Sequence, residues 1–267
     1  MKHLSILVCA LFLAVLSAWA DGRETLCFKG KMGGRINVII AFEFHIDNEE
    51  PPAGYIYYPN AKNPAPILIV GNYFPEEDHF VFNEYQSDGT ISGTMHFKVD
   101  GFEYAEGPSI VEGEWTNPKT GKSLTLKDMP SYNYYHGLSY TPDWFHSALT
   151  PADPAHIGKR YSYKQWHSGM GDYMGGHVSF RGAGKDKVHW EICNAPSNIA
   201  EGKSAPGRPA VLNGSYFKYD NVNECGYGFE CLLYDKFLKI KSTTDYNTFN
   251  CFGAFTTFEG IYIKVEE

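Results

Sequence analysis

An apolar residue at every second position of one long segment constrains this chain most, because that period belongs to a strand with one buried face. The alternating apolar side chains in this segment are Ile36, Val38, Ile40, Phe42, Phe44 and Ile46. Ile39 and Ala41 are the only apolar residues between these positions. Shorter segments of similar character recur between turn-forming residues at Gly54–Tyr58, Pro66–Val70, His79–Tyr85, Thr90–Val99, Ile110–Trp115 and Leu124–Leu126. These strands and turns predict an antiparallel meander that hides its edges by closing into a barrel or folding into a sandwich.

The same pattern returns in the second half of the chain after an interruption. Prolines recur within residues 129–154, which excludes a long helix or a central strand there. Strands resume at Arg160–Tyr163, Gly176–Phe180, Lys187–Cys193, Gly214–Tyr219, Tyr227–Tyr234, Phe237–Lys241, Phe252–Thr257 and Gly260–Val265. We therefore expect an all-β chain of two antiparallel β-barrel or β-sandwich domains, residues 21–128 and 155–267. A linker rich in proline and aromatic residues, 129–154, joins them.

The N-terminal residues 1–20 have the order of a secretory signal peptide. A basic start at Lys2 precedes an apolar run from Leu4 to Leu16, and Ala18-Trp19-Ala20 supplies a small-x-small cleavage site. The apolar run is short for a membrane-spanning helix, and no later segment is apolar enough to cross a bilayer. We expect a secreted or periplasmic product without a transmembrane segment.

The charge balance limits the partners that such a product can have. The chain has 31 acidic and 23 basic residues, a formal net charge of −8. Loss of Lys2 with the signal peptide makes the mature chain one unit more acidic. Nucleic acid is not an expected partner, because its phosphates require a basic face.

The cysteines are interpreted through the predicted compartment. Export places thiols where disulfides persist, and the cysteines of the mature chain are Cys27, Cys193, Cys225, Cys231 and Cys251. The odd number leaves at least one unpaired, and we expect this one to be Cys27. Either Cys225 or Cys231 could reach Cys251, closing a loop of about 20–27 residues and stabilising the fold by about 3 kcal/mol.

No residue pattern predicts an enzyme or a cofactor. The chain lacks a Cys-x-x-Cys motif, a nucleophile elbow and a phosphate-binding loop. The histidines His136, His146, His156, His167 and His177 lie ten or eleven residues apart, a spacing that favours no metal site. Glu84 shares the parity of Phe80 and Phe82, so its carboxylate is expected to point inward, where it serves as an acid or accepts hydrogen bonds. We favour the structural role, because no second carboxylate can be placed beside it.

Aromatic residues in and beside the linker are the candidate binding residues. The candidates are Tyr134, Tyr135, Trp144 and Trp166, in a region that also contains Tyr132, Tyr140 and Phe145. Exposed rings stack on sugars or anchor a protein partner, whereas buried rings would fill an inter-domain seam. Both interpretations remain open at this point, and the seam is preferred because so aromatic a crossing must bury its rings.

Both halves resemble parts of secreted bacterial two-domain β-proteins without a characterised activity. The N-terminal matches are Ile36–Ile46, Gly54–Tyr58, Ile67–Gly71, Phe80–Glu84, Gly89–Gly93 and Gly113–Asn117. The C-terminal matches are Ala195–Ala200, Glu224–Tyr227, Cys251–Gly253 and Glu259–Lys264. The resemblance implies a lipocalin-like or sandwich fold in each half and pairs Cys225 with Cys251. The C-terminal part is also similar to small periplasmic inhibitors of C-type lysozyme.

These observations predict a non-catalytic secreted or periplasmic binding protein whose partner is a protein or a glycan. One alternative is a protein inhibitor of lysozyme or of another hydrolase, and another is a carbohydrate-binding module. A glycan hydrolase would require two carboxylates facing one cleft about 5–10 Å apart.

Overall fold

A computed structural model shows a chain whose regular structure is almost entirely antiparallel strand, which confirms the all-β prediction. The residues that it describes are 23–45, 51–102, 107–132, 134–135, 138–139, 142–143, 145, 160–166, 173–183, 187–195, 210–214, 216–221, 227–243 and 260–265. The sheets include a half-barrel. Within the described residues, no helix has the length and apolarity needed to cross a membrane.

The first sheet is a meander in which each strand pairs with the next along the chain. Its strands are β1 Arg23–Met32, β2 Ile36–His45, β3 Ala53–Tyr57, β4 Ile67–Phe74, β5 His79–Tyr85, β6 Ile91–Asp100, β7 Ser109–Thr116, β8 Ser123–Thr125 and β9 Met129–Pro130. A 3₁₀ turn, Pro75–Glu77, connects β4 to β5. The meander predicted from the alternation is confirmed, and β1 is a strand that the sequence pattern did not reveal.

Gly30 explains why β1 is hidden in the sequence. Leu26, Phe28 and Met32 alternate and are buried, but a glycine interrupts their apolar period. A side chain at position 30 would collide with Met129, so the glycine makes room for that residue of β9. Because β1 packs closely against Met129 of β9, position 30 is a glycine and not the apolar residue that would complete the alternation of β1.

Hydrogen bonds connect the first strand of this sheet with its last strands. β9 pairs with β7, and Ser131, which follows β9, forms a bridge to Phe28 of β1. The backbone N–H of Tyr132 donates to the carbonyl oxygen of Cys27 at 2.7 Å. The segment 129–132 thus lies between β7 and β1.

Phenylalanine rings fill the inner face of the first sheet. The buried rings in mutual contact are Phe28, Phe42, Phe44, Phe80, Phe82 and Phe97. The Phe42 ring centroid lies 4.9 Å from that of Phe80 and 4.8 Å from that of Phe82. Each fully buried ring stabilises the fold by about 1.5–3 kcal/mol. The interior of this sheet is therefore a packed core, as the alternation predicted.

The outer face of β1–β3 is also buried at one place. Cys27, Ala41 and Tyr55 lie opposite one another on adjacent strands, on the face away from the phenylalanines, and all three are inaccessible to solvent. A two-residue hairpin, β10 Tyr134–Tyr135 and β11 Leu138–Ser139, follows β9, and β11 lies in contact with β1. The chain after β9 therefore turns back toward this side of the sheet.

The second sheet has the order β15-β14-β13-β12-β19-β18-β17-β16. Its strands are β12 Arg160–Trp166, β13 Tyr173–Gly182, β14 Lys187–Ala195, β15 Ala210–Val211, β16 Tyr216–Asn221, β17 Tyr227–Leu233, β18 Phe237–Ser242 and β19 Gly260–Val265. Backbone hydrogen bonds in both directions between Asn213 and Tyr216 link the edge strands β15 and β16. The strand expected at Phe252–Thr257 lies outside the described residues.

Aromatic contacts also organise the core of the second sheet. Trp190 of β14 meets Tyr219 and Phe229 edge to face, with ring centroids 4.8 and 4.9 Å away. Phe229 and Cys231 share a face of β17 and are fully buried, as their common parity predicted. The described residues belong to two compact units, one within Met1–Ala65, Ile69–Asn83 and Thr94–Thr141 and the other within Pro66–Leu68, Glu84–Gly93 and Pro142–Glu267.

Candidate functional site

Glu84 is the buried carboxylate that the sequence singled out, and its side chain points inward as predicted. It lies near the end of β5 and exposes 3% of its surface. Ser92 on β6 donates its hydroxyl to Glu84 Oε1 at 2.6 Å, and Gln86 Nε2 donates to Ser92 Oγ at 2.7 Å. These hydrogen bonds join the two strands through their side chains.

The turn between β5 and β6 determines this geometry. Gly89 adopts a positive φ of 77° and its N–H donates to Gln86 O, while Gln86 N–H donates to Thr90 O. Asp88 Oδ1 accepts from the backbone N–H of Thr90 and from its hydroxyl. This tight turn brings Ser92 opposite Glu84. Gln86 donates a hydrogen bond to the Ser92 hydroxyl oxygen, and that hydroxyl donates to the Glu84 carboxylate. The cluster therefore holds β5 and β6 together as a cross-strand clamp.

A second polar group lies on the outer face of β5, β6 and β7. The imidazole rings of His79 and His96 are parallel, with centroids 6.0 Å apart, and His96 Nε2 lies 3.8 Å from Glu114 Oε1. Thr116 Oγ1 donates to the same carboxylate oxygen at 3.2 Å. Burial lowers the pKa of His79, and the charge of His96 lowers it further. The arrangement places a titratable imidazole pair beside a carboxylate on the outer surface of the sheet.

The sequence pattern gives only part of this histidine pair. His79 and His96 alternate with the inward-facing Phe80 and Phe97, which indicates the outer face for both, but the alternation does not indicate which residues of β5 and β6 lie opposite each other. Of the histidines spaced ten or eleven residues apart in the sequence, only His177, on β13, falls within the described residues. No group of three side chains suited to a metal ion occurs in the part of the chain that the structure describes.

Two buried thiols are described, and both are free. Burial raises the pKa of Cys27 to about 12 and raises the pKa of Cys231 even further. The free thiol of Cys27 agrees with the expectation that it is left over, and a free Cys231 removes the alternative pairing with Cys251. The expected Cys225–Cys251 bridge lies outside the described residues.

The predicted aromatic binding residues are placed only in part. Tyr134 pairs with Ser139 and Tyr135 with Leu138 in the β10–β11 hairpin, and Trp166 ends β12. Trp144 lies outside the described residues, as do the side chains of the other three. The structure therefore does not bring these four together in a described site.

The remaining described aromatic rings belong to the interior or are half-buried. Val211 is the large apolar residue that stands out as exposed among the described residues, at 63%. Phe145, from the predicted linker, is buried. Most of the aromatic rings that the structure describes are therefore core, as their alternation predicted.

The segments that carried the family resemblance have structural explanations in this fold. Gly71 follows Ile67–Val70 because a side chain there would overlap the carbonyl oxygen of Val81 on β5. Gly89 occupies the turn described above. No family model matches the chain, and comparison with curated proteins and with solved structures finds no match.

Proposed function

We propose that this chain is a non-catalytic binding protein that is secreted or exported to the periplasm after removal of residues 1–20. Its partner is a protein or a glycan, recognised on the outer surface. We further propose that each sheet closes into a barrel, the first through residues 129–132 and the second through Asn213 and Tyr216. Closure of this kind removes exposed edges and leaves a rigid scaffold for surface recognition.

The packing of the first sheet carries this proposal. Its inner face is filled by contacting phenylalanine rings, so little of it is left to hold a substrate. Glu84 and the two thiols have roles other than chemistry: Glu84 clamps two strands, and the thiols of Cys27 and Cys231 are buried with raised pKa values. In the part of the chain that the structure describes, the polar outer surface remains accessible.

A binding screen with product analysis tests this function. The mature chain, 21–267, is titrated calorimetrically with cell-wall glycan fragments, neutral and acidic polysaccharides and C-type lysozyme, and each partner is then recovered and weighed by mass spectrometry. We expect saturable binding to at least one partner, which is recovered unchanged. Turnover of any partner that is lost on a single substitution would overturn the proposal, as would failure to bind any of them.

The two alternatives give distinct results in the same screen. An inhibitor lowers the lysozyme rate at one equivalent of added chain, and an unchanged rate removes that alternative. A carbohydrate-binding module uses exposed rings, so Trp144→Ala or Trp166→Ala abolishes binding to neutral glycans. Retention of binding in both variants removes that second alternative.

A further inference from the structure

Two segments rich in lysine and arginine meet on the surface of the first sheet. One contains the β1–β2 turn, and the other contains β8 and its flanking residues. The backbone N–H of Gly33 donates to the carbonyl oxygen of Thr125 at 2.8 Å, and Leu124 packs against Gly33. A residue two or three positions along the chain from Gly33 or Thr125 has its Cα atom within about 7–10 Å of this hydrogen bond.

The cations of this basic patch are exposed. Its members nearest the hydrogen bond are Lys31, Arg35, Lys122 and Lys127, and Lys29 and Lys119 lie further along the same two segments. Within the described part of the chain, none of them forms a salt bridge, whereas Lys218 on β16 lies 3.8 Å from Glu230 on β17. The acidic groups nearest in sequence and register are Asp128 and Glu114, so positive charge dominates.

The surrounding structure holds these charges in place. Asn117 Oδ1 accepts hydrogen bonds from the backbone N–H groups of Lys119 and Thr120, which fixes the β7–β8 turn. The ammonium of Lys29 lies 5.0 Å from the centroid of the Tyr132 ring. Side chains alternate between the two faces of a strand, and Phe28 and Met32 of β1 are buried on the inner face. Lys29 and Lys31 therefore share the outer face.

The patch stands out because the rest of this sheet is acidic. In a meander, alternate connections lie at opposite ends, so the β1–β2 and β7–β8 turns share one end. The β4–β5 connection at the other end contains Glu76, Glu77 and Asp78. Concentrating cations at one end of the sheet raises the local electrostatic repulsion among them, which a bound anion relieves.

We propose that this basic patch binds an acidic polysaccharide, a polymer with carboxylate groups spaced along a sugar backbone. The inference rests on the proposed non-catalytic binding function and names the partner class. Charges spread over a strand and two turns match a polymer better than a single small anion. Among the described residues, the exposed large apolar side chain is Val211, which belongs to the second sheet, so this patch offers nothing to insert into a membrane. Nucleic acid is the less favoured polyanion, because its densely spaced phosphates need a denser basic face than these separated cations form.

Charge reversal with a matched control tests the proposal. Lys31→Glu combined with Lys122→Glu changes the patch, and Arg181→Glu combined with Lys187→Glu makes the same change in net charge at exposed positions on the β13–β14 hairpin. Binding to polygalacturonate is measured at low and high salt, with dextran as the uncharged probe. Phosphatidylglycerol vesicles and duplex DNA report the other anionic surfaces. Circular dichroism verifies that both variants fold.

We expect polygalacturonate binding that weakens with salt, falls about tenfold or more in the patch variant and is nearly unchanged in the control variant. Equal losses in both variants would overturn the proposal, and so would binding to vesicles or DNA without binding to polygalacturonate. Binding of an uncharged glycan or a protein, unaffected by the patch variant, would overturn this inference and leave the proposed function standing. Release of shortened chains would overturn the proposed function itself.

Discussion

Glu84 can stay in the interior because donors replace the water that its carboxylate loses. Ser92 supplies one of these donors from the neighbouring strand, and Gln86 orients that hydroxyl. The parity of Glu84 with Phe80 and Phe82 predicted its direction. It could not predict Ser92, because the partner depends on the register of the turn that brings β6 back beside β5.

Replacing Ser92 should therefore lower the free energy of unfolding more than replacing an exposed serine does. Ser92→Ala removes a donor from a buried carboxylate, and we expect the free energy of unfolding to fall by about 1–3 kcal/mol. Ser123→Ala, which removes an exposed hydroxyl bonded to Thr116 Oγ1, should change it by less than about 0.5 kcal/mol. Urea unfolding followed by circular dichroism measures both. Similar small changes in the two variants would contradict the clamp.

His79 makes the stability of the first sheet depend on pH. Its pKa is lowered in the folded chain by burial and by His96, with Lys98 acting in the same direction and Glu77 and Glu112 opposing them. Below about pH 6.5 the unfolded chain therefore binds more protons than the folded chain, and the free energy of unfolding falls as pH falls. We expect His79→Asn to lose part of this dependence between pH 7.5 and 5, and His189→Asn, an exposed control, to retain it. An identical pH profile for His79→Asn and the unsubstituted chain would refute this explanation.

Close packing between neighbouring strands explains why the alternation predicts some strands and misses others. The alternation predicted β2 and β5 within one residue at each end, because a single buried face dominates their composition. It missed β1, where Gly30 yields space to Met129, and β15, which is only two residues long. Local pattern predicts a strand well where its own side chains form the core, and poorly where a distant residue supplies the packing.

A substitution at Gly71 tests whether β4 and β5 need a glycine at their point of close approach. A methyl group there would overlap the carbonyl oxygen of Val81, so β4 and β5 would have to separate. We expect Gly71→Ala to lower the free energy of unfolding by more than about 3 kcal/mol. The control Gly121→Ala meets no atom within 4 Å and adds only the strain of a positive φ, about 1–2 kcal/mol. Equal melting temperatures for these two variants would contradict the close approach of the strands.

For the whole molecule, the sequence predicted the fold class better than the site. The aromatic residues proposed for binding include Tyr134 and Tyr135, which the structure places in a short hairpin beyond β9. The sequence does not reveal the basic patch, because its two halves are about ninety residues apart in sequence and are brought together by the contacts of Gly33 with Leu124 and Thr125. Net charge, summed over the chain, conceals such a local excess of one sign.

Recognition without turnover on the outside of a packed β-scaffold determines the fate of a bound polysaccharide. Polygalacturonate is incubated with the mature chain under conditions that give saturable binding, and its length distribution is then measured by mass spectrometry. We expect a stoichiometric complex and an unchanged length distribution. Shortened chains accumulating beyond one equivalent of protein, or no complex with this or any other tested partner, would show that the proposed function is wrong.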